Sequence, residues 1–332
     1  MQHILTSMLG PSGVGKTSLL TAMYEQFEST VGAAQLQLTP DEESSAILQD
    51  RLAELRSLTY TFEATGGVSG TEAAAGPSSL RKLTFDLGKK GARPSLRIAF
   101  QDYPGAYHGS RASADERSFV RRMLEKSAAV LIPVDAPPLM EGGENGQPGP
   151  WHEMMNRPTQ ITDHFKRAYQ DLESPRLVIF TPTKCERYVR EEGGAAALAS
   201  AVRQGYPRLF DLFATEGLRD KVAVVIAPVQ TVGAVVFSRV EERDGQARFC
   251  FRKLSKDAVY SPVDSEQPLR YLLRFLLRIH REERRWRYFD TVRDWLRLDR
   301  HLEAAVRDFA AGCKTGEGFE LVQGERLLEP PK

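Results

Sequence analysis

The residues that decide the fold are Gly10-Pro11-Ser12-Gly13-Val14-Gly15-Lys16-Thr17, close to the start of the chain. They fit the phosphate-binding loop pattern G-x-x-x-x-G-K-[ST]. The preceding residues 3–9 (HILTSML) predict a buried strand, and residues 18–27 predict a helix. Because this motif requires a strand before it and a helix after it, we expect the chain to bind a nucleoside triphosphate.

Each residue type in this loop has a part in binding phosphate. Glycines allow the backbone to wrap around a phosphate and point N–H groups at it, and the following helix adds its positive end. Lys16 would reach the β- and γ-phosphates, and the Thr17 hydroxyl would hold Mg²⁺. The simpler interpretation is a chance glycine-rich turn, which the flanking strand and helix disfavour.

Composition is that of an ordinary globular protein. The 332 residues, 41% of them hydrophobic, suffice for one large α/β domain or two small ones. A net charge of +1 gives no general attraction to nucleic acid or membranes. The three cysteines are far apart, which suggests a reducing cytosol. The longest apolar stretches are too short to cross a bilayer, and the first strand leaves no room for a signal peptide, so we expect a cytoplasmic protein.

Alternating strand and helix patterns predict an α/β fold. Apolar stretches such as 128–135, 176–181 and 222–228 predict buried strands separated by helices, which implies a mainly parallel sheet with helices on both faces. An early hairpin, with strands at 80–87 and 95–101, implies one antiparallel edge strand.

An extra β-hairpin is predicted after the last buried strand, because Asp244-Gly245 is a strong turn signal between two strand-like runs. The sequence thus predicts one domain over residues 1–282, with insertions at about 30–79, 136–158 and 235–262.

Residues 283–332 are predicted to form a C-terminal helical extension and a loose tail. Between Arg270 and Arg300 there are ten arginines and five acidic residues. The mixed signs in 281–287 (REERRWR) argue against a stripe that binds nucleic acid. A solvated helix with internal ion pairs is the simpler interpretation, and a helix that binds a protein partner is the other.

Two short motifs lie at the ends of predicted strands, where α/β sheets bind ligands. Asp102-Tyr103-Pro104-Gly105 places an acid near the Mg²⁺ hydration shell and a glycine N–H near the γ-phosphate. Thr183-Lys184-Cys185-Glu186 offers a carboxylate to the N1–H and 2-amino groups of guanine, with the Lys184 stem packing on the base. A surface turn and a solvated loop are the simpler interpretations of these two tetrapeptides.

The order of these motifs resembles that of the Ras-like GTPases of the translation-factor superclass. GPSGVGKTS, DYPG and TKCE match the first, the D-x-x-G and the [NT]-K-x-D motifs of that family. The resemblance covers roughly residues 1–235 and the helix after Pro268. The long segment before the early hairpin, the pair Gly70-Thr71 and the D-x-P-G form are similar to bacterial double-GTPase families, which are encoded with partner proteins in conflict or signalling systems.

The resemblance implies a Ras-like P-loop NTPase fold, with Mg²⁺ as cofactor and GTP or GDP as ligand. It implies catalytic roles for Lys16, Thr17, Thr71, Asp102 and Gly105, and Mg²⁺ ligation by Thr17, Thr71 and Asp102. The implied nucleotide-binding residues are Gly10, Pro11, Ser12, Gly13, Val14, Gly15, Lys16, Thr17, Ser18, Thr183, Lys184 and Glu186.

Two switch loops are implied near residues 60–79 and 102–112. Thr71 is the candidate threonine of the first loop and Thr65 the runner-up; the simpler interpretation places both in a flexible linker. The predicted output is signalling to an effector protein through these loops.

The chain departs from the family pattern at two positions. Glu186 stands where the family has Asp, which leaves the preference for guanine open. Ala106 stands where many members place a glutamine that orients water, although His108 is close by and would be either a substitute or a surface residue. We therefore predict slow GTP hydrolysis, accelerated by a partner protein or by homodimerisation.

Three other functions use the same phosphate loop. A nucleotide kinase would suit residues 10–17 equally well, but it leaves DYPG and TKCE without a role. A transporter-type ATPase would need an L-S-G-G-Q signature, which the sequence lacks. A scaffold that binds GTP and barely hydrolyses it is compatible with Ala106.

Overall fold

A computed structural model describes residues 2–31, 35–63, 81–102, 112–143, 147–243, 246–282 and 300–329. Within these ranges the strands are β1 Gln2–Met8, β2 Leu36–Pro40, β3 Arg81–Lys89, β4 Leu96–Asp102, β5 Ala129–Asp135, β6 Arg176–Thr183, β7 Val222–Ile226, β8 Val235–Arg243, β9 Gln246–Lys253 and β10 Glu320–Gln323. The helices are α1 Lys16–Thr30, α2 Glu42–Ser57, α3 Ala114–Lys126, α4 Ala136–Met140, α5 His152–Asn156, α6 Pro158–Ala168, a 3₁₀ turn Tyr188–Arg190, α7 Gly194–Gly205, α8 Pro207–Phe213, α9 Glu216–Arg219, α10 Gln267–Glu282, α11 Arg300–Ala311 and α12 Glu325–Leu328.

Eight of these strands form one sheet in the order β10-β7-β6-β5-β1-β4-β3-β2. The five strands from β7 to β4 in that order run parallel to one another. The α/β class and the mainly parallel sheet are therefore confirmed.

The prediction of one antiparallel edge strand is wrong. β3 runs antiparallel to β4 but lies inside the sheet, because β2 pairs with its outer side. β10 runs antiparallel to β7 and forms the opposite edge. The two edge strands are too short to give a clear sequence signal. β2 has five residues, of which Leu36 and Leu38 are buried in alternation, and β10 has four.

Helices cover both faces of the sheet, as the sequence predicts. Along β5, Ala129 and Leu131 belong to one apolar layer, whereas Val130 and Ile132 belong to the other, because successive strand residues point to opposite faces. Helices α1, α10 and α11 pack in the first layer, and α3, α6, α7 and α8 in the second. No helix in the described ranges has the length and apolar character needed to span a bilayer.

Helices α2 and α3 begin at polar caps. The Asp41 side chain accepts a hydrogen bond from Ser44 N over 2.9 Å at the start of α2. Ser113 and Glu116 form a reciprocal capping box at the start of α3. These caps satisfy N–H groups that have no partner within the helix.

The C-terminal residues pack on the sheet, so the expectation of a loose tail is wrong. The Phe309 ring of α11 lies 5.0 Å from the Phe27 ring of α1, and the Arg270 guanidinium lies 4.1 Å over the Phe309 ring. β10 then joins the main sheet. Residues 283–299 of the predicted helix lie outside the described residues, and the division between 1–282 and 283–332 stays a prediction.

The predicted hairpin forms from β8 and β9, which make a separate two-stranded sheet. Its β9 edge contacts the chain that follows α2. Lys253 N donates to Phe62 O over 2.7 Å, and Glu63 pairs with Arg252 in an isolated bridge. The hairpin therefore contacts residues 62 and 63, at the start of the predicted first switch loop.

Candidate functional site

The predicted phosphate-binding loop connects β1 to α1 at the carboxyl edge of the parallel strands. Gly13 and Gly15 have φ of 86° and 95°, a conformation that glycine adopts without steric cost. Ser12 and Gly13 are exposed to solvent. Helix α1 begins at Lys16, so its first N–H groups and positive dipole end lie at the loop. This arrangement suits an anion.

Lys16 is buried within this loop, with 5% of its surface exposed. Its Nζ donates to Gly10 O over 2.9 Å and to Pro11 O over 3.1 Å. Burial lowers the pKa of the amine, while the nearby Asp102 carboxylate opposes that shift. A phosphate in the loop would offer this ammonium an anionic acceptor in place of two neutral carbonyl oxygens.

Asp102 ends β4 beside the loop, because β1 and β4 pair in register up to Met8 and Asp102. Thr17 Oγ1 donates to Asp102 Oδ2 over 2.6 Å. Asp102 Oδ1 is buried and accepts no hydrogen bond from the described part of the chain, with Lys16 Nζ 4.0 Å away. The structure thus brings together Lys16, Thr17 and Asp102, and Ser18 is buried in the same first turn of α1.

The oxygen groups at this point fit Mg²⁺. Hydroxyl and carboxylate oxygens are its preferred ligands, and a buried carboxylate oxygen without a hydrogen bond is costly unless a cation compensates it. In the described ranges no three His, Cys, Asp or Glu side chains gather as a metal-binding group. An ion held by Thr17 and Asp102 would therefore take its remaining ligands from phosphate and water.

Several predicted residues lie outside the described residues, namely Thr65, Thr71, Gly105, Ala106 and His108. The two predicted switch loops are described only at their borders, over 60–63 and at Asp102 and Ala112. Roles for the five residues stay predictions.

The predicted base-reading motif contacts the other side of the phosphate loop. Thr183 Oγ1 donates to Val14 O over 2.8 Å, and Lys184 Nζ donates to Gly13 O over 3.0 Å. Lys184 has a φ of 52°, which is uncommon for a residue with a side chain and turns the chain sharply after β6. A ligand seated in the loop would therefore lie next to this motif.

Glu186 is buried, with 2% of its surface exposed, and it holds a neighbouring loop. Its Oε1 accepts from Val232 N over 3.2 Å and from Gly233 N over 3.3 Å. Burial raises the pKa of this carboxyl, and the backbone hydrogen bonds oppose the shift. This contact was not predicted, because the partners lie 46 and 47 residues away in the sequence. Base reading by Glu186 stays a prediction.

Asp135, which ends β5 between the two motifs, is a further site residue that was not predicted. It is 4% exposed, and its Oδ2 accepts a hydrogen bond from Lys184 Nζ. The Asn156 side chain bonds both the N–H and the carbonyl oxygen of Asp135, over 2.8 and 3.0 Å. Burial raises the pKa of Asp135, while Lys184 opposes that shift. An acid directly after an apolar strand, the signal that singled out Asp102, would have found this residue.

These groups form a line along the carboxyl edge of the sheet. The strand order β7-β6-β5-β1-β4 places in succession the 228–233 loop, Lys184, Asp135, the phosphate loop and Asp102. From β6 to β4 there are three strand spacings, or about 14 Å. Only an extended ligand would reach from Lys184 to Asp102. The carboxyl edge of the parallel strands is where open α/β sheets bind their ligands.

Comparisons with known proteins give a likeness to solved structures only. No protein-family model matches the chain, and no curated protein matches it. The GTP-bound GTPase-like domain of Ski7 from S. cerevisiae is similar to 69% of this chain, with a TM-score of 0.39 and 11% sequence identity. The chain spans 43% of that structure's length. Because this likeness is low, no function is transferred from that protein to this chain.

Proposed function

We propose that the chain is a GTP-binding regulatory switch that hydrolyses GTP slowly with Mg²⁺. The observation that carries this proposal is the position of the phosphate loop. Its exposed part lies between Lys16, Thr17 and Asp102 on one side and Lys184 on the other. That order suits the cation, the phosphates and the base of one nucleoside triphosphate.

Each part of the ligand then has a group that would bind it. The phosphates would lie at the N-terminus of α1 and at Lys16. Thr17 and Asp102 would hold Mg²⁺, which when bound neutralises charge on the β- and γ-phosphate oxygens. Lys184 and Glu186 would meet the base of GTP or GDP.

Slow hydrolysis and dependence on a partner form the second part of the proposal. Ala106 stands where many members of the family that the sequence resembles have a glutamine that orients water, and a methyl group cannot do so. A partner protein or a second copy of the chain would supply the missing group. An effector protein would then bind the switch loops in one nucleotide state. A cytoplasmic location belongs to the same proposal.

Nucleotide competition tests the proposal. The purified protein is titrated with GTP, GDP and ATP in Mg²⁺, with Lys16→Ala as the control variant. We expect both guanine nucleotides to bind more tightly than ATP, Lys16→Ala to weaken GTP binding about a hundredfold or more, and turnover on the order of 10⁻³ s⁻¹ or below. Equal or tighter binding of ATP, or rapid turnover by the isolated protein, would contradict the proposal.

The second candidate is an ATP-dependent kinase or ATPase on the same loop. The observation in its favour is that Glu186 already accepts two backbone hydrogen bonds, which reduces its capacity to read guanine. Phosphate transfer from ATP to GMP or another acceptor would support this candidate. A GTP-binding scaffold would differ from the first proposal in showing no measurable turnover.

A further inference from the structure

The β8–β9 hairpin starts at the base end of the site. β8 begins at Val235, directly after the 228–233 loop that follows β7. Glu186 fixes this loop through the Val232 and Gly233 N–H groups. The Arg190 guanidinium donates to Gly233 O over 2.7 Å, so the loop is held at both its N–H and its carbonyl groups. The position of the hairpin is therefore tied to the motif that carries Lys184.

Phe251 is the hairpin residue that borders this motif. Lys184 Nζ lies 5.9 Å from the centre of the Phe251 ring. The same ring packs against the small apolar cluster that contains Val232 and Val235. Phe251 thus lies beside both Lys184 and the loop that Glu186 holds. It is only half-buried, so part of its surface is open to a ligand.

The rest of the hairpin supports this ring from behind. Phe237 is buried and lies 6.1 Å from Phe251, edge to face. The Phe237 ring stacks on Tyr188 at 6.4 Å, and the Arg187 guanidinium lies 5.6 Å over it. Because Arg187 and Tyr188 directly follow Glu186, the hairpin and the base-reading motif form one packed unit.

We propose that the β8–β9 hairpin closes the base end of the nucleotide site and that the Phe251 ring contacts the nucleobase. This inference rests on the proposed function, because it assigns a wall to the same site. Every nucleobase has a flat aromatic face, and a base stacked on an aromatic side chain contributes strongly to affinity. The apolar stem of Lys184 would face the base from the side of the phosphate loop.

A ligand without a base distinguishes the contribution of the Phe251 ring to affinity from that of the phosphate loop. Isothermal titration with GTP and with inorganic tripolyphosphate is performed in Mg²⁺ on the wild-type protein, Phe251→Leu and Phe251→Tyr. Phe249→Leu is the matched control, because Phe249 points to the same side of β9 but contacts Trp151 and Phe237. Thermal melting of each variant confirms that it is folded.

We expect Phe251→Leu to bind GTP about tenfold or more weakly and tripolyphosphate unchanged. Phe251→Tyr and Phe249→Leu should bind both ligands as the wild type does. Wild-type affinity for GTP in Phe251→Leu, or an equal loss for GTP and tripolyphosphate, would overturn the inference.

The wild-type titrations distinguish this inference from the proposed function. If the wild type prefers ATP, the guanine assignment falls, and a loss of ATP affinity in Phe251→Leu would still support the aromatic wall. If the wild type binds tripolyphosphate but no nucleotide, the wall is overturned. If it binds neither ligand, both proposals are overturned.

Discussion

The phosphate end and the base end of the candidate site are built differently. The phosphate end consists of the continuous motif at 10–17 and Asp102 on the neighbouring strand. The base end gathers Asp135 from the end of β5, Lys184 and Glu186 from the segment after β6, and Phe251 from a hairpin. Variants of the phosphate end should therefore weaken every polyphosphate ligand, whereas variants of the base end should distinguish ligands with a base from ligands without one.

The largest effect is expected for Lys16→Ala at the phosphate end. Loss of a buried cation that would bond phosphate directly should lower affinity for GTP and tripolyphosphate by about a hundredfold or more. Titration calorimetry measures both. Lys90→Ala, which removes an exposed lysine between β3 and β4, should leave both affinities unchanged. If Lys16→Ala lowered the affinity for GTP but not for tripolyphosphate, the phosphate end would not bind polyphosphate independently of the base end.

The second effect concerns Glu186→Gln at the base end. The amide oxygen can still accept from Val232 and Gly233, so the thermal midpoint should stay close to that of the wild type. The amide replaces a carboxylate that would accept from the guanine donors in the proposed complex, so GTP affinity should fall about tenfold, with ATP and tripolyphosphate little changed.

Glu191→Gln is the matched control for that variant. Glu191 is exposed, and in the described part of the chain its side chain forms an ion pair with Arg187 only. An unchanged ratio of GTP to ATP affinity in Glu186→Gln would mean that Glu186 holds the 228–233 loop and does not read the base.

A smaller effect is expected for Asp102→Asn. The Asn amide oxygen can still accept a hydrogen bond from Thr17, but the side chain is uncharged. The gain in GTP affinity on adding Mg²⁺ should therefore shrink by about five- to tenfold. Binding is measured with Mg²⁺ and with a chelator. Asp86→Asn on β3, which breaks an ion pair with Arg97 away from the loop, should keep the full response to Mg²⁺. A full response in Asp102→Asn would place the cation elsewhere.

The smallest effect concerns pH and Asp135. Burial raises the pKa of Asp135, so this carboxyl takes up a proton at a higher pH than an ordinary aspartate. Protonation removes the ion pair that positions Lys184, so GTP affinity should be full at neutral pH and fall severalfold as the pH drops through that raised pKa. Asp135→Asn should show the lower affinity at neutral pH and lose this step in an affinity–pH profile. A step that persists in Asp135→Asn would belong to another group.

The phosphate end could be predicted from the sequence because its geometry is local. Loop, helix start and lysine follow one another in the chain, and Asp102 is brought in by the pairing of two apolar strands. The base end depends on contacts between distant segments. The Asp135–Lys184 pair spans 49 residues, and no local pattern links Phe251 to Lys184.

The fold shows the same division. The parallel strands are long apolar runs and were predicted, whereas β2 and β10 are too short to stand out from loops. Their place in the sheet comes from pairing with β3 and β7, which acts over long distances in the chain. The apolar positions Leu302, Val306 and Phe309 did carry a signal that α11 packs on the sheet.

The most direct test is an experimentally determined structure with a non-hydrolysable GTP analogue and Mg²⁺. We predict the phosphates in the loop at 10–17, the cation between Thr17 and Asp102, and the base beside Lys184 with the Phe251 ring against it. A nucleotide bound away from Lys16, or a base that points away from Lys184 into solvent, would contradict the view that one nucleotide joins the two ends of the site.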